Sequence, residues 1–337
     1  MGNARRSDLV KYLFALVLCG SNGIVAAYID LPADQVPLLR ALIGFVTLAV
    51  VLLVRNRGTQ GLAARSHPRE VPFLLGSGAA LGTGWILLFR SYQMIGVGVT
   101  TLIYYLGPVL VMALSPLLFG TRLNRHKVLG FAVVAGGAVL IGSDSLSSSV
   151  SAPGLFLASL TTLCYALMVF CAKRVSHIHG LENATIQLGG SLAAVAVLFV
   201  ASGDRLVAVP ASSVAPVLVI GLVNTAVELY AYYTAIDALP VQSVAVLGYL
   251  EPLSAVVLST LVLGEPFGPS RVIGTACILG GAVWCELVGS RADAAPQGEK
   301  DAELARAGRI HARRTRAGRP DARRRAAVSA STQVRGA

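Results

Sequence analysis

Ten runs of mostly apolar residues constrain this chain more than any other feature. They lie near 9–29, 35–54, 71–94, 97–119, 127–143, 153–173, 183–201, 213–236, 240–264 and 271–289. Each is close to the ~20 residues a helix needs to cross a bilayer core. In lipid every backbone N–H and C=O must be satisfied within the segment, and for an unbroken apolar run that means a helix. Charged residues make up 13% of the 337 residues, against about 25% in a soluble domain. The chain therefore reads as an all-α integral membrane protein with ten transmembrane helices. The first run follows Arg5, Arg6 and Lys11 and has the charge pattern of a signal peptide, but the spans behind it favour an uncleaved helix.

One stretch occurs twice, 144 residues apart. Tyr104-Tyr105-Leu106-Gly107-Pro108, Gly120, Gly130 and Gly136-Gly137-Ala138-Val139 match Gly248-Tyr249-Leu250-Glu251-Pro252, Gly264, Gly274 and Gly280-Gly281-Ala282-Val283. Roughly a third of positions agree without a gap from Val97/Val241 to Val139/Val283. Many secondary transporters are built from duplicated blocks, with the substrate path where the copies meet.

Loop charge assigns the sides. Arg55, Arg57, Arg65 and Arg69 follow the second run, Arg122, Arg125 and Lys127 the fourth, and Lys173 and Arg174 the sixth. The intervening loops are poor in basic residues, which places both termini in the cytoplasm. The loop 121–127 carries three positive charges, whereas its copy, 265–271, carries one positive and one negative. Five spans per copy is an odd number, so the second copy enters from the opposite side and its matching loop should lose the basic bias. This predicts two inverted five-helix repeats, residues 1–145 and 150–290.

Residues 291–337 form a third compositional region. From about Ser290 the tail has twelve Lys/Arg against five Asp/Glu, +7 of the chain's +11. Its Ala/Arg/Gly-rich sequence lacks apolar periodicity and reads as a disordered, cytoplasmic, solvated extension whose charge reinforces topology, with contact to anionic lipid as the alternative, ahead of nucleic acid. The five cysteines lie within or at the ends of apolar runs without metal or redox spacing, and read as packing residues.

The motifs resemble a known family. Leu18-Cys19-Gly20-Ser21-Asn22-Gly23 is similar to the Trp-Gly-Ser-Asn start of EamA-type members of the drug/metabolite transporter superfamily. Tyr105-Leu106-Gly107-Pro108 and Tyr249-Leu250-Glu251-Pro252 resemble that family's Tyr-Leu-x-Pro signature, and Leu263-Gly264-Glu265-Pro266 with Gly274 and Gly280-Gly281 its last two helices. The resemblance covers residues 9–289 and implies ten helices in an inner membrane moving small metabolites, amino acids or drugs outward. Cys19 replaces the family's tryptophan, Gly107 its frequent glutamate, and Thr121 stands where copy two has Glu265, so the halves differ chemically.

Ionisable groups at membrane depth cost about 2.5–3.5 kcal/mol on insertion scales and tend to face a cavity or a partner. Glu228 and Glu251 fall near mid-span and are candidates to carry protons as coupling ions. Glu251 belongs to the repeated signature, so helix packing or gating explains it equally well. Asn224, Glu228 and Tyr232 stand at i, i+4 spacing and form one polar stripe that should point inward, to line a cavity or, as the alternative, to hydrogen-bond between helices. Arg90 is a candidate partner for a cargo carboxylate, for Glu228 or for Glu251, with snorkelling as its alternative. Arg40, near the outer end of its run, reads as a snorkelling residue. Asn22, Tyr104, Tyr105 and Tyr249 are candidates to line the path, with helix packing as the competing role. Pro108 and Pro252 occupy equivalent mid-helix positions where a missing backbone bond permits gating motion. His177 and His179 read as a solvated loop rather than a metal site. Gly78, Gly82, Gly136-Gly137 and Gly280-Gly281 read as close-packing positions between helices.

No cofactor or metal motif is present. The absence of a phosphate-binding Gly-x-x-x-x-Gly-Lys-Ser/Thr loop argues against direct ATP use. An integral membrane enzyme would need catalytic clusters that the sequence lacks, and a membrane sensor would rest on the basic tail alone. The favoured reading is a secondary transporter of small-molecule cargo.

Overall fold

The computed structural model describes residues 3–56, 61–104, 106–107, 110–111, 114, 125–146, 151–236, 239, 247, 250–264 and 268–284. All regular structure among them is helical: α1 (Asn3–Ala27), α2 (Gln35–Arg55), a short α3 (Ala63–Ser66), α4 (Val71–Ile95), α5 (Val97–Tyr104), α6 (Arg125–Leu146), α7 (Ala152–Ala172), α8 (Gly180–Ala201), α9 (Ala211–Leu218), a π-helical segment (Val219–Val227), α10 (Glu228–Ile236), α11 (Leu250–Leu263) and α12 (Pro269–Trp284). Among the described residues, six helical stretches are long and apolar enough to cross a membrane: Ser7–Ala27, Gln35–Arg55, Val71–Ile95, Ala152–Ala172, Gly180–Ala201 and Ala211–Ala235. They coincide with six of the ten apolar runs. The protein is an all-α, multi-pass integral membrane protein. Tyr105, Pro108, Tyr249 and the basic tail lie outside the described residues.

Glycine decides how closely the helices approach. A Cβ on Gly78 would stand 1.8 Å from the Gln187 carbonyl oxygen, and one on Gly190 2.4 Å from that of Leu75, so α4 and α8 touch backbone to backbone. Lipid supplies little apolar driving force between helices, and small residues replace it with direct contact. Polar side chains reinforce this seam, with Ser77 Oγ donating to Gln187 Oε1 at 2.8 Å and Gln187 Nε2 to the Tyr233 hydroxyl at 2.9 Å.

The seam between α6 and α12 is reciprocal. A Cβ on Gly137 would meet Gly274 O at 2.7 Å and Ile278 Cγ1 at 3.2 Å, while one on Gly281 would meet Gly130 O at 2.9 Å and Val134 Cγ2 at 2.8 Å. Gly130, Val134 and Gly137 are the copy-one counterparts of Gly274, Ile278 and Gly281, so exchanging the copies maps the seam onto itself. Elsewhere α1 packs on the π segment, α10 and α11, and α7 packs on α4 and α5. The packing of α1 on the π segment and α10 exchanges with that of α7 on α4 when the copies are exchanged, since 219–236 corresponds to 75–92.

Loops alternate between two faces. At one, Gln35 Nε2 donates to Val207 O at 2.7 Å and Arg90 pairs with Asp34. At the other, Arg55 reaches the Tyr230 hydroxyl at 3.0 Å and His177 meets Glu70. Along α2, Leu42, Val46, Val50, Leu53 and Val54 remain exposed, a lipid-facing stripe. Gly96, with φ of 80°, ends α4 in a backbone conformation that disfavours a side chain.

Candidate functional site

Helix α1 is the spine of the site, and its two glycines explain why. A Cβ on Gly20 would fall 2.0 Å from Ser254 Oγ and 2.7 Å from the Glu251 carbonyl oxygen; one on Gly23 would fall 2.2 Å from Val97 Cγ1. With hydrogen in those places, α1 lies directly against α11 and α5. Cys19 then donates its thiol to Glu251 Oε1 at 2.8 Å. One turn further, Asn22 Nδ2 donates to Glu228 Oε2 at 3.2 Å and to Cys19 O at 3.0 Å. Cys19 and Asn22 thus present a thiol and an amide from one helix to two carboxylates from two others.

The stripe read from spacing turns toward α1. Asn224 Nδ2 donates to Leu18 O and to Ser21 Oγ, each at 2.7 Å. Glu228 is 7% exposed, and Tyr232 packs on Tyr12 with ring centroids 5.6 Å apart. Asn224 lies in the π segment, where the wider turn frees backbone groups for other partners, a feature that recurs at functional sites. Pro216 lies just before this segment inside α9. It cannot donate a backbone bond, which weakens the helix at the point where the wider turn begins.

Arg40 uses that opening. Its Nη2 donates to Asn224 O at 3.2 Å, its Nε to Thr225 Oγ1 at 3.1 Å, and its guanidinium lies 3.9 Å from the Trp85 ring centroid. At 2% exposure it does not snorkel. A run of letters places Arg40 near the end of a span without saying which way it faces. Here a Cβ on Gly44 would meet Thr225 Cγ2 at 2.6 Å and one on Gly221 would meet Ile43 Cβ at 2.7 Å, so α2 lies tight against the π segment and turns Arg40 inward.

Arg90 stands elsewhere. Its Nε donates to Asp34 Oδ1 at 2.6 Å and its Nη2 reaches Asp34 Oδ2 and, at 3.2 Å, Ser202 Oγ. The Arg90 side chain is 40% exposed and Asp34 5%. This bidentate pair closes the loop face and keeps Arg90 from Glu228 and Glu251. The buried arginine is Arg40, held on the π segment that leads into Glu228.

Tyr104 meets Tyr165 edge-on, with centroids 5.7 Å apart. A Cβ on Gly107 would lie 2.7 Å from Tyr165 Cδ1. Where copy two carries Glu251 against Cys19, copy one thus carries bare backbone against an aromatic ring. Pro252 lies within α11, one residue after Glu251. Asn22 Oδ1 is buried and has no hydrogen-bond partner among the described residues. The amide cannot profit from turning over, because its nitrogen already donates to Glu228 and to Cys19 O. An orphaned acceptor beside two carboxylates suits a ligand bearing N–H or O–H donors.

A model of the EamA-like transporter family matches residues 9–143 and again residues 152–285. The chain belongs to the EamA-like transporter family. This EamA-like protein is accordingly a secondary membrane transporter of small molecules, within the drug/metabolite transporter superfamily, and not an enzyme. It is 24% identical over 281 residues to the uncharacterized transporter YxxF of Bacillus subtilis (strain 168), covering 82% of this chain and 88% of that one. It is 26% identical over 215 residues to the threonine/homoserine exporter RhtA of Escherichia coli (strain K12), covering 64% of this chain and 70% of the relative. A crystal structure with a TM-score of 0.60 and 20% identity covers 84% of this chain and 98% of its own, and shares the fold.

Proposed function

We propose that this EamA-like protein exports amino acids and related small zwitterions by alternating access between two inverted five-helix halves, residues 1–145 and 150–290. Both termini would then lie on the cytoplasmic side of the inner membrane. The double family match and the reciprocal Gly137/Gly281 seam support the two-half reading. The loop charges support the orientation.

One observation carries the cargo reading: Arg40 is buried on the π segment, at Asn224 O and Thr225 Oγ1, while Glu228, the residue that follows that segment, accepts from Asn22, whose own Oδ1 has no partner among the described residues. A zwitterion offers a carboxylate for Arg40 and an ammonium for Glu228, Glu251 and Asn22 Oδ1. RhtA's description as a threonine/homoserine exporter is in keeping with that chemistry. Asn22, Asn224, Glu228 and Glu251 line the path; Tyr104 and Tyr232 flank it, Tyr105 and Tyr249 belong to it by the signature, and Pro108 and Pro252 serve as paired gates. Arg90 guards the mouth through Asp34. Glu228 alternates between cargo and proton, so export is driven by a proton gradient.

The test is flux of a panel of labelled amino acids in proteoliposomes. Wild type should move at least one of them faster under a pH gradient. Glu228→Gln should lose the gradient response while keeping exchange of cargo across the membrane. Unchanged gradient-driven flux in Glu228→Gln removes that residue from coupling, and inactivity toward the whole panel removes amino acids as cargo.

A further inference from the structure

Two histidines and a glutamate that the transport cluster does not use converge at the opposite end of the helices. His67 and Glu70 lie in the segment between α3 and α4, and His177 in the segment between α7 and α8. The ligand atoms of the three side chains all lie within 4.8 Å of one another. The imidazoles of His67 and His177 stack with centroids 4.1 Å apart and planes inclined by 8°. Glu70 Oε1 stands 2.6 Å from His177 Nδ1, and Glu70 Oε2 accepts the His177 backbone N–H at 3.0 Å.

We propose that His67, Glu70 and His177 form a binding site for a divalent transition-metal ion of the zinc class, one that ties the segment before α4 to the segment before α8. Two imidazoles and one carboxylate suit zinc, which takes nitrogen and oxygen donors at about 2.0–2.2 Å in tetrahedral geometry. Calcium and magnesium favour all-oxygen shells and do not match this donor set. At such bond lengths tetrahedral ligand atoms stand about 3.3 Å apart, so rotation of side chains already within 4.8 Å closes the shell. Three protein donors leave the fourth position to water.

The surrounding backbone holds the donors in place. Glu182, in the first turn of α8, accepts the N–H groups of Ala63 and Ala64 at 3.0 and 2.7 Å and so anchors α3 from the side that carries His177. Ser176 Oγ donates to Glu70 Oε1 at 3.2 Å. Glu70 is 12% exposed, held by contacts from the neighbouring loop, whereas the His177 side chain is 55% exposed and open to an incoming ion. His179 takes no part: its Nε2 lies 3.0 Å from the Ser176 carbonyl oxygen. The loop histidines read as solvated are thus split, one into the cluster and one away from it. By Gly180 the chain has already entered α8. A bound ion would fix the entrance of that helix against the preceding half, which makes the site a brake on any motion that separates the two segments.

The test is calorimetric titration of zinc chloride into the full chain, purified in detergent without a histidine tag and stripped with chelator. One ion per chain is expected for wild type and for His179→Gln. Glu70→Gln should weaken binding by about tenfold or more, and the double change His67→Gln/His177→Gln should abolish it. Cobalt(II) in place of zinc provides a readout on the unaltered chain, an intense tetrahedral visible spectrum if the site exists. Wild-type affinity in the double variant, equal loss in His179→Gln, or only the weak spectrum of octahedral cobalt would overturn the proposal.

Discussion

Adjacent glycines in α6 should respond to the same substitution with opposite signs. A Cβ at Gly137 would lie 2.7 Å from Gly274 O and 2.8 Å from Cys277 Cβ, whereas ordinary contact begins near 3.4 Å. Gly137→Ala therefore forces α6 and α12 apart by about 0.7 Å, the gap between 2.7 and 3.4 Å, against a backbone oxygen that has no rotamer to change. Overfilling a packed interface by one methyl group costs about 1–3 kcal/mol, and each kcal/mol moves the melting midpoint by roughly 2 °C in a chain longer than 250 residues. A Cβ at Gly136 meets nothing within 4 Å. There alanine only reduces backbone freedom, worth roughly 0.5–1 kcal/mol in favour of the helix. Size-exclusion chromatography of heated, detergent-solubilised protein should give a midpoint several degrees below wild type for Gly137→Ala and one at or above wild type for Gly136→Ala. The reciprocal seam extends the expectation: Gly281→Ala should follow Gly137→Ala, and Gly280→Ala should follow Gly136→Ala. Equal loss in Gly136→Ala and Gly137→Ala, or a neutral Gly281→Ala, would refute the seam and with it the main packing support for two exchangeable halves.

Arg40→Met should lower stability by about 1–3 kcal/mol for each buried acceptor it orphans, the Asn224 carbonyl and the Thr225 hydroxyl, and should abolish flux. Arg90→Gln breaks a pair whose arginine is 40% exposed, so it should shift stability by about 1 kcal/mol or less; similar melting losses in the two variants would contradict the assignment of Arg40 to the core. Cys19→Ser should keep flux and Cys19→Val should reduce it, since only the former donates to Glu251; equal flux in both would remove that hydrogen bond from the mechanism. Hydrogen bonds from His177 and Ser176 hold the Glu70 carboxyl at about 2 against an ordinary 4.5. A depressed folded value means this contribution is complete above about pH 4.5 and is lost as pH falls toward 2. The melting gap between wild type and Glu70→Gln should accordingly shrink between pH 7 and pH 3, and a constant gap would argue against the ionised contact.

Much of the candidate site was legible as residue types but not as partners. Glu228 and Asn224 stood out because a polar stripe in an apolar helix needs something to face, and both meet α1. Glu251 stood out through the repeated signature, yet nothing in that signature pairs it with Cys19. Position along the chain does not rank the two arginines: both interrupt apolar runs, and only the direction each helix faces separates the one buried on Trp85 from the one paired with Asp34. Cys19, read as packing, donates a hydrogen bond to a carboxylate 232 positions away.

Spacing and polarity by themselves determined the membrane class, the duplication and ten apolar runs, of which six are spanning helices among the described residues, because the bilayer imposes a length on each span and satisfies no backbone group. Those are demands met within one segment, and a segment is what a sequence displays. Which glycines carry contact, where the π turn opens a carbonyl to Arg40, and how His67 and Glu70 come to face His177 were decided only by tertiary structure. Each depends on two helices arriving within a few tenths of an ångström of each other, and that distance belongs to neither sequence segment alone.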